Sequence, residues 1–348
     1  MSPRSIVLLG VATMVLMVLA LIYTGSQRRS ESLPLEPLIP GLREQINSID
    51  AIEVLGPGAE VVASLRRDRD RWRVMNRDAF EADFRQIHDL LRELAGAVRA
   101  EERTALAEWY PRLGLADIDS DQASGLQLAF PGQQLPQVIL GDRDPSTGGR
   151  YARIVGEAQS WLSNQPLHLA DTPVGWLERS VMDIPAAELA EVTIIHPDGD
   201  RLRLRPADED GELWVLMDIP EGREPAPRWE IRPVANGLAN VTLEDVRRHE
   251  TVPADAVRAL YVTRDGLNFV VSLFADEHGR WAHFTVSAEI EASSDAVATD
   301  DFARDQQLLA DAAAVDARLS PWQFALPLRK YENMTRRLEA LLLPLSGD

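Results

Sequence analysis

The chain has 348 residues, 45% of them hydrophobic and 26% charged, which is enough apolar material for two ordinary domains and excludes wholesale disorder. Its 55 acids against 36 bases leave a net charge of −19, which argues against nucleic-acid binding and against coating an anionic membrane. With no cysteine, disulfides, thiolate metal sites, iron–sulfur clusters and cysteine nucleophiles are excluded.

In chain order, Ile6 to Tyr23 is an uncharged run of 18 residues. As a helix it would span about 27 Å, which suffices for a bilayer. Val18-Leu19-Ala20 is a poor cleavage site inside the run, so the reading is an uncleaved transmembrane anchor over 1–24. Arg4 on one side nearly balances Arg28 and Arg29 on the other, so charge alone does not orient it. Residues 25–44 carry Pro34, Pro37 and Pro40 and read as a semi-rigid linker.

Two similar stretches follow. Ile49, Ile52, Val54 and Pro57 align with Leu189, Val192, Ile194 and Pro197 at a constant offset of 140. Trp72-Arg73-Val74 matches Trp214-Val215-Leu216, and Tyr151 matches Trp281. Trp176 with Leu177 and Trp322 with Phe324 read as matching exits. Asp210-Gly211 and Asp265-Gly266 read as hairpin turns. Phe80, Phe84, Ile87, Leu91 and Leu94 form a helical stripe, with Asp78 and Glu81 as its start. Ile231, Val234, Leu238 and Val241 repeat it, weakened by Pro233 and Gly237. The predicted fold class is α+β: an N-terminal transmembrane helix, then two tandem modules of antiparallel sheet with a packed helix, each ββ-α-βββ, over 45–185 and 186–290. Residues 291–348 complete the chain. An acidic stretch over 289–316 holds eight acids and one arginine and reads as a solvated helix or loop; Tyr331–Leu343 reads as a docking helix.

No catalytic, cofactor-binding or metal residue stands out. The six histidines, His88, His168, His196, His249, His278 and His283, have no helical zinc spacing, and His283 reads as locally hydrogen-bonded. Asp117 to Asp121 starts like a calcium loop but has Gln122 and Leu128 at its diagnostic positions. Gly148-Gly149 reads as a hairpin loop, with neither the spacing nor the helix of a phosphate cradle. The eight tryptophans read mainly as core.

The N-terminal span, the Ile49–Val54 strand, Trp72-Arg73-Val74, the Phe80–Leu94 helix, Tyr110-x-x-x-Gly114-Leu115 and Trp176-Leu177-x-Arg179 leading to Asp183-Ile184 occur in an order with a precedent. The layout resembles the bacterial membrane-anchored domain-of-unknown-function proteins encoded beside gliding-motility-type ABC-2 transporter genes. The resemblance implies a single-pass inner-membrane protein with a periplasmic globular part. Its role would be a non-catalytic accessory or scaffolding subunit of an ABC-type export or envelope-assembly system. The implied partners are the transporter's integral membrane subunits and the bilayer, met through Ile6 to Tyr23. No nucleic acid and no cofactor is expected. The alternative is an acid-dependent enzyme acting on an envelope glycan or peptide, for which two converging carboxyls, one of raised pKa, would be required.

Overall fold

The computed structural model describes residues 36–289 and 299–344. Nine strands form one sheet: β1 (Ala51–Leu55), β2 (Val61–Asp68), β3 (Arg71–Val74), β4 (Phe80–Glu81), β5 (Arg99–Glu102), β6 (Leu126–Ala129), β7 (Val138–Arg143), β8 (Arg150–Ile154) and β9 (Ser160–Ser163). Their order is β4-β3-β2-β1-β6-β7-β8-β9-β5. β10 (Ser180–Met182) pairs with β14 (Val241–Thr242). Eight strands form the second large sheet: β11 (Leu189–Ile195), β12 (Arg201–Pro206), β13 (Trp214–Leu216), β15 (Asp245–Arg248), β16 (Val257–Thr263), β17 (Leu267–Asp276), β18 (Gly279–Ala288) and β19 (Trp322–Ala325). Their order is β13-β12-β11-β16-β17-β18-β19-β15. Leaving β4 aside, adding ten to each label of the first sheet reproduces the second.

This corrects the predicted fold class. The described molecule is mostly antiparallel sheet with few helices, not a pair of ββ-α-βββ modules in an α+β arrangement. Periodicity misses strands whose sequences lack alternation: β5 reads Arg-Ala-Glu-Glu and β15 Asp-Val-Arg-Arg. Both lie at the end of a sheet, where charged residues blunt an edge and disguise it as loop. Among the described residues no helix is long and apolar enough to cross a membrane. The predicted anchor, Ile6 to Tyr23, lies outside the described residues.

The helices are α1 (Leu42–Gln45), α2 (Phe84–Gly96), α3 (Arg228–Ala235), α4 (Thr299–Leu319) and α5 (Leu328–Met334). α2 starts later than the stripe suggested. Asp78 and Ala79 take left-handed backbone conformations, and Phe80 pairs with Val74 as strand. Asp83 then accepts from the Gln86 amide at 3.0 Å, a short-range cap. α3 ends at Ala235 and tightens into a 3-10 turn, Asn236–Leu238. The expected C-terminal helix over Tyr331–Leu343 is in fact α5 followed by a 3-10 turn, Glu339–Leu341. Both expected hairpins are present: β12 pairs with β13 around Gly211, and β16 with β17 around Gly266.

The chain divides into two compact units. The described part of the first is 36–49, 54–60 and 89–169; the second is 50–53, 61–88, 170–289 and 299–344. In the first, residues 36–45 are folded despite lying mostly in the stretch read as linker. Leu38, Ile39 and Leu42 are buried, and the Leu38 amide donates to Ala97 O at 2.9 Å. Tyr110, Leu115 and Ile139 form a buried cluster. Arg153 is buried too, its guanidinium 4.4 Å from the Tyr110 ring centre and donating to Leu115 O at 3.0–3.1 Å and to Asp117 at 2.5 Å.

In the second unit Tyr261, Phe269, Phe284, Phe324 and Trp176 are the large, fully buried side chains. Tyr261 sits in the interior strand β16, opposite Val192 and Phe269. Its hydroxyl is buried without a partner and faces Gly237. α4 packs on β18, and Asp316 accepts the Val286 amide at 2.8 Å. The chain's one lysine, Lys330, reaches from α5 to Asn236 O (3.2 Å), which also accepts the Ala239 amide within the 3-10 turn, and to Ala239 O (2.5 Å).

Candidate functional site

The first unit builds a cleft where β5 runs out. Past Glu102 the strand is continued by hydrogen bonds to Ser160: the Arg103 amide donates to Ser160 O (2.9 Å), and Ser160 N and Oγ both donate to Thr104 O (2.9 and 2.7 Å). The chain then turns into the 3-10 segment Ala107–Leu113. Its end is pressed onto the sheet through two glycines. A Cβ on Gly141 would lie 1.9 Å from Leu113 O, and one on Gly125 would lie 2.1 Å from Gly114 O. Only residues without a side chain allow that approach. From below, the Tyr110 hydroxyl donates to Ala158 O at 2.5 Å.

The result is a cleft of about 410 Å³ lined by Glu102, Arg103, Thr104, Trp109, Arg112 and Leu113. Trp109 is 41% exposed, and the Arg112 guanidinium lies 4.3 Å from its ring centre. Among the described residues Arg112 makes no hydrogen bond and no ion pair. Arg103 is partly engaged: it reaches Glu101 at 3.0 Å and Asp144 at 3.8 Å, and lies 5.7 Å from the Tyr151 ring centre.

Asp144 anchors this arrangement from the β7–β8 turn. It accepts from Ser146 Oγ (2.5 Å), the Ser146 and Thr147 amides (2.9 and 3.0 Å), Thr147 Oγ1 (3.2 Å) and the Tyr151 hydroxyl (2.7 Å). The Ser146 hydroxyl first, then Tyr151 and Thr147, hold its carboxyl well below the usual carboxylate range. The same bond to Asp144 pushes the Tyr151 phenol up. Gly148 and Gly149, read from sequence as a hairpin loop, close this turn.

The second unit carries the same constellation on the equivalent strands. Arg150-Tyr151-Ala152-Arg153 in β8 corresponds to Arg280-Trp281-Ala282-His283 in β18. Arg247 on β15 stands where Arg103 follows β5, beside Gln323 as Arg103 is beside Ser160. Here everything is tight. The Arg247 guanidinium lies 3.9 Å from the Trp281 ring centre and 3.0 Å from Asp276, and donates to Gln323 Oε1 at 2.8 Å. Asp276 accepts the Trp281 indole N–H at 2.9 Å. Burial alone would raise the Asp276 pKa, but the bonds from Trp281, His278 and Arg247 outweigh it and the pKa is lowered. One structural correction follows: β19 is the counterpart of β9, so Trp322 does not match Trp176, which lies after β9 in the 3-10 segment Pro173–Trp176.

A second cavity, of about 580 Å³, lies in the second unit between the β16–β17 turn, α4 and residues 182–188. Phe269 and Val315 are among its lining residues, and its arginines are engaged: Arg318 donates to Val181 O at 2.9 Å and Arg264 to Glu209 O at 2.6 Å.

The residues weighed in the sequence fall elsewhere. His249 and His283 stack with ring centres 3.9 Å apart, and His283 Nε2 is 3.0 Å from Ser320 O. His168 pairs with Glu93 at 2.9 Å. Asp117 of the calcium-like run is bonded to Arg153. Trp72, Trp176, Trp214, Trp281 and Trp322 are buried, while Trp109 and Trp229 are exposed. Sequence reasoning missed Arg103, Arg112 and Asp144. For Arg103 and Asp144 the Tyr151–Trp281 correspondence was the available signal, since Tyr151 meets Arg103 and Asp144 as Trp281 meets Arg247 and Asp276; for Arg112 there was none.

A family model described as a domain of unknown function (DUF4340) matches residues 72–259, more than half of the chain. No curated protein and no solved structure gives a significant match.

Proposed function

We propose that this chain, which belongs to the domain-of-unknown-function family DUF4340, is a non-catalytic accessory or scaffolding subunit of an ABC-type export or envelope-assembly system. It is held at the bacterial inner membrane by the apolar stretch Ile6 to Tyr23, with its globular part in the periplasm. The observation that supports the non-catalytic reading is what the well-bonded carboxylates hold: Asp144 ties the Ser146, Thr147 and Tyr151 side chains of one turn, and Asp276 ties Trp281 and Arg247. Among the described residues those with clearly shifted acidity are Asp144, Asp198, Asp276 and Glu339, and all four are shifted down. Asp198 is held ionised by the Asp200 amide and Arg337, and Glu339 by Arg223. These carboxylates hold turns and arginines in place, which suits a rigid binding scaffold.

The test is photo-crosslinking of the full-length protein in its native membrane, with mass spectrometry of the captured partners. Transporter membrane subunits should be recovered, and recovery should vanish when residues 1–30 are replaced by a cleavable signal peptide. Failure to recover any transporter subunit refutes the reading.

A further inference from the structure

The duplicated constellation is closed in one unit and open in the other, and the open copy borders a cleft with an unengaged cation. In the second unit Arg247 is saturated by Asp276, Gln323 and the face of Trp281. In the first unit the equivalent Arg103 stands farther from both its aspartate and its aromatic ring. Beside it, Arg112 rests on Trp109 with no acceptor among the described residues. A guanidinium stacked on an indole is pre-organised, so it loses little freedom when an anion arrives.

We propose that the cleft between β5 and the segment Ala107–Leu113 binds an acidic sugar, a pyranose ring bearing a carboxylate. Four features select it together. Arg112 offers the planar fork that pairs with a carboxylate through two parallel hydrogen bonds. Trp109 offers an exposed aromatic surface for the apolar face of a ring. Glu102 lines the same cleft, and its carboxyl oxygens can accept from the several hydroxyl groups spread around a sugar ring. The Thr104 oxygen accepts from the Leu106 amide at 3.1 Å, which leaves its O–H to donate to the ligand. A volume of about 410 Å³ is within the range of small-molecule sites. The surrounding charge sharpens the choice: in a chain of net charge −19, a free arginine in a cleft is where an anion can approach.

The proposal goes beyond the transporter role and does not depend on it. The test is isothermal titration of the purified full-length chain with glucuronic acid, with glucose and inorganic phosphate as controls. Glucuronate should bind, and glucose and phosphate should each bind at least about tenfold more weakly. Arg112→Gln should weaken glucuronate binding by about tenfold or more while lowering the thermal unfolding midpoint by only a few degrees at most, because the contact with the exposed Trp109 ring is all the side chain has to lose. Trp109→Ala should weaken glucuronate and glucose alike. No binding of glucuronate, binding unaffected by Arg112→Gln, or phosphate bound as well as glucuronate would each overturn it.

Discussion

Gly237 and Tyr261 form a contact where a single methyl group should have a large effect. A Cβ on Gly237 would lie 2.0 Å from the Tyr261 hydroxyl oxygen, 2.6 Å from Cζ and 2.9 Å from Cε1. Ordinary contact is reached only beyond 3.4 Å, so something must move. The tyrosine cannot yield easily: it is fully buried and its strand is paired on both sides. The glycine is held in the 3-10 turn, where Lys330 binds the Asn236 carbonyl. Overpacking of this kind costs about 1–3 kcal/mol or more, against which a Gly→Ala change recovers about 0.4–1 kcal/mol through the unfolded chain. Gly237→Ala should therefore destabilise the second unit by about 2 kcal/mol. Tyr261→Phe should do the reverse. The hydroxyl is buried without a partner, and such a group costs about 1–3 kcal/mol, so its removal should be neutral or stabilising by about 1 kcal/mol. In the double variant the oxygen clash is gone but the approach to Cζ remains, so about 1 kcal/mol of the alanine's cost should be recovered. Burial also pushes the Tyr261 phenol above its ordinary value. The unfolded chain then loses this proton first, so the stability it confers is complete below about pH 10 and declines above it; Tyr261→Phe removes that decline. Urea unfolding of the four proteins, at neutral and alkaline pH, reads all of this. A Gly237→Ala protein as stable as the parent, or a Tyr261→Phe protein less stable by more than about 1 kcal/mol, would refute the packing argument.

Three further outcomes are expected. Arg153→Met should lower the first unit's stability by about 2–3 kcal/mol, since it orphans the Leu115 carbonyl and strips the Tyr110 ring, whereas Asp117→Asn should cost under about 1 kcal/mol because that carboxylate is solvated; differential scanning calorimetry separates them. Gly141→Ala should force Leu113 off β7 and speed amide exchange at Leu115, whose N–H is bonded to Tyr110 O at 2.9 Å; unchanged exchange would contradict the close approach. Burial first, then the adjacent His249, lowers the His283 pKa. Its contribution to stability is therefore present above the unfolded value of about 6.5 and lost as pH falls below it, and His283→Gln should flatten thermal midpoints measured between about pH 7 and pH 5.

Local signals in the sequence survived folding where they rest on backbone chemistry. Asp210-Gly211 and Asp265-Gly266 stand at their hairpins because an αL-tolerant glycine dictates a turn with little regard to surroundings. The start of α2 did not survive, because Phe80 gains more from pairing with Val74 and packing edge-on against Trp322 at 4.9 Å than from one more turn of helix. The edge strands β5 and β15 were invisible for another reason: their charged residues are answered by partners remote in sequence. Arg247 is held by Gln323, 76 residues away. The cleft in the first unit was illegible for the same reason. Arg112 and Arg103 look like ordinary surface arginines until Gly125 and Gly141 bring Ala107–Leu113 against the sheet, and a glycine's close approach leaves no trace in a hydrophobic pattern.

The placement of Lys330 has a practical consequence. As the chain's only lysine, with its ammonium bound to two backbone carbonyls and half withdrawn from water, it is a poor target for amine-reactive reagents, and burial lowers its pKa without freeing it from those bonds. Succinimidyl ester dyes and lysine-directed coupling would leave the folded domain nearly unmarked apart from the chain's amino terminus. The plentiful carboxylates, activated for coupling to an added amine, are the handle by which this protein can be labelled, immobilised or mapped at its surface.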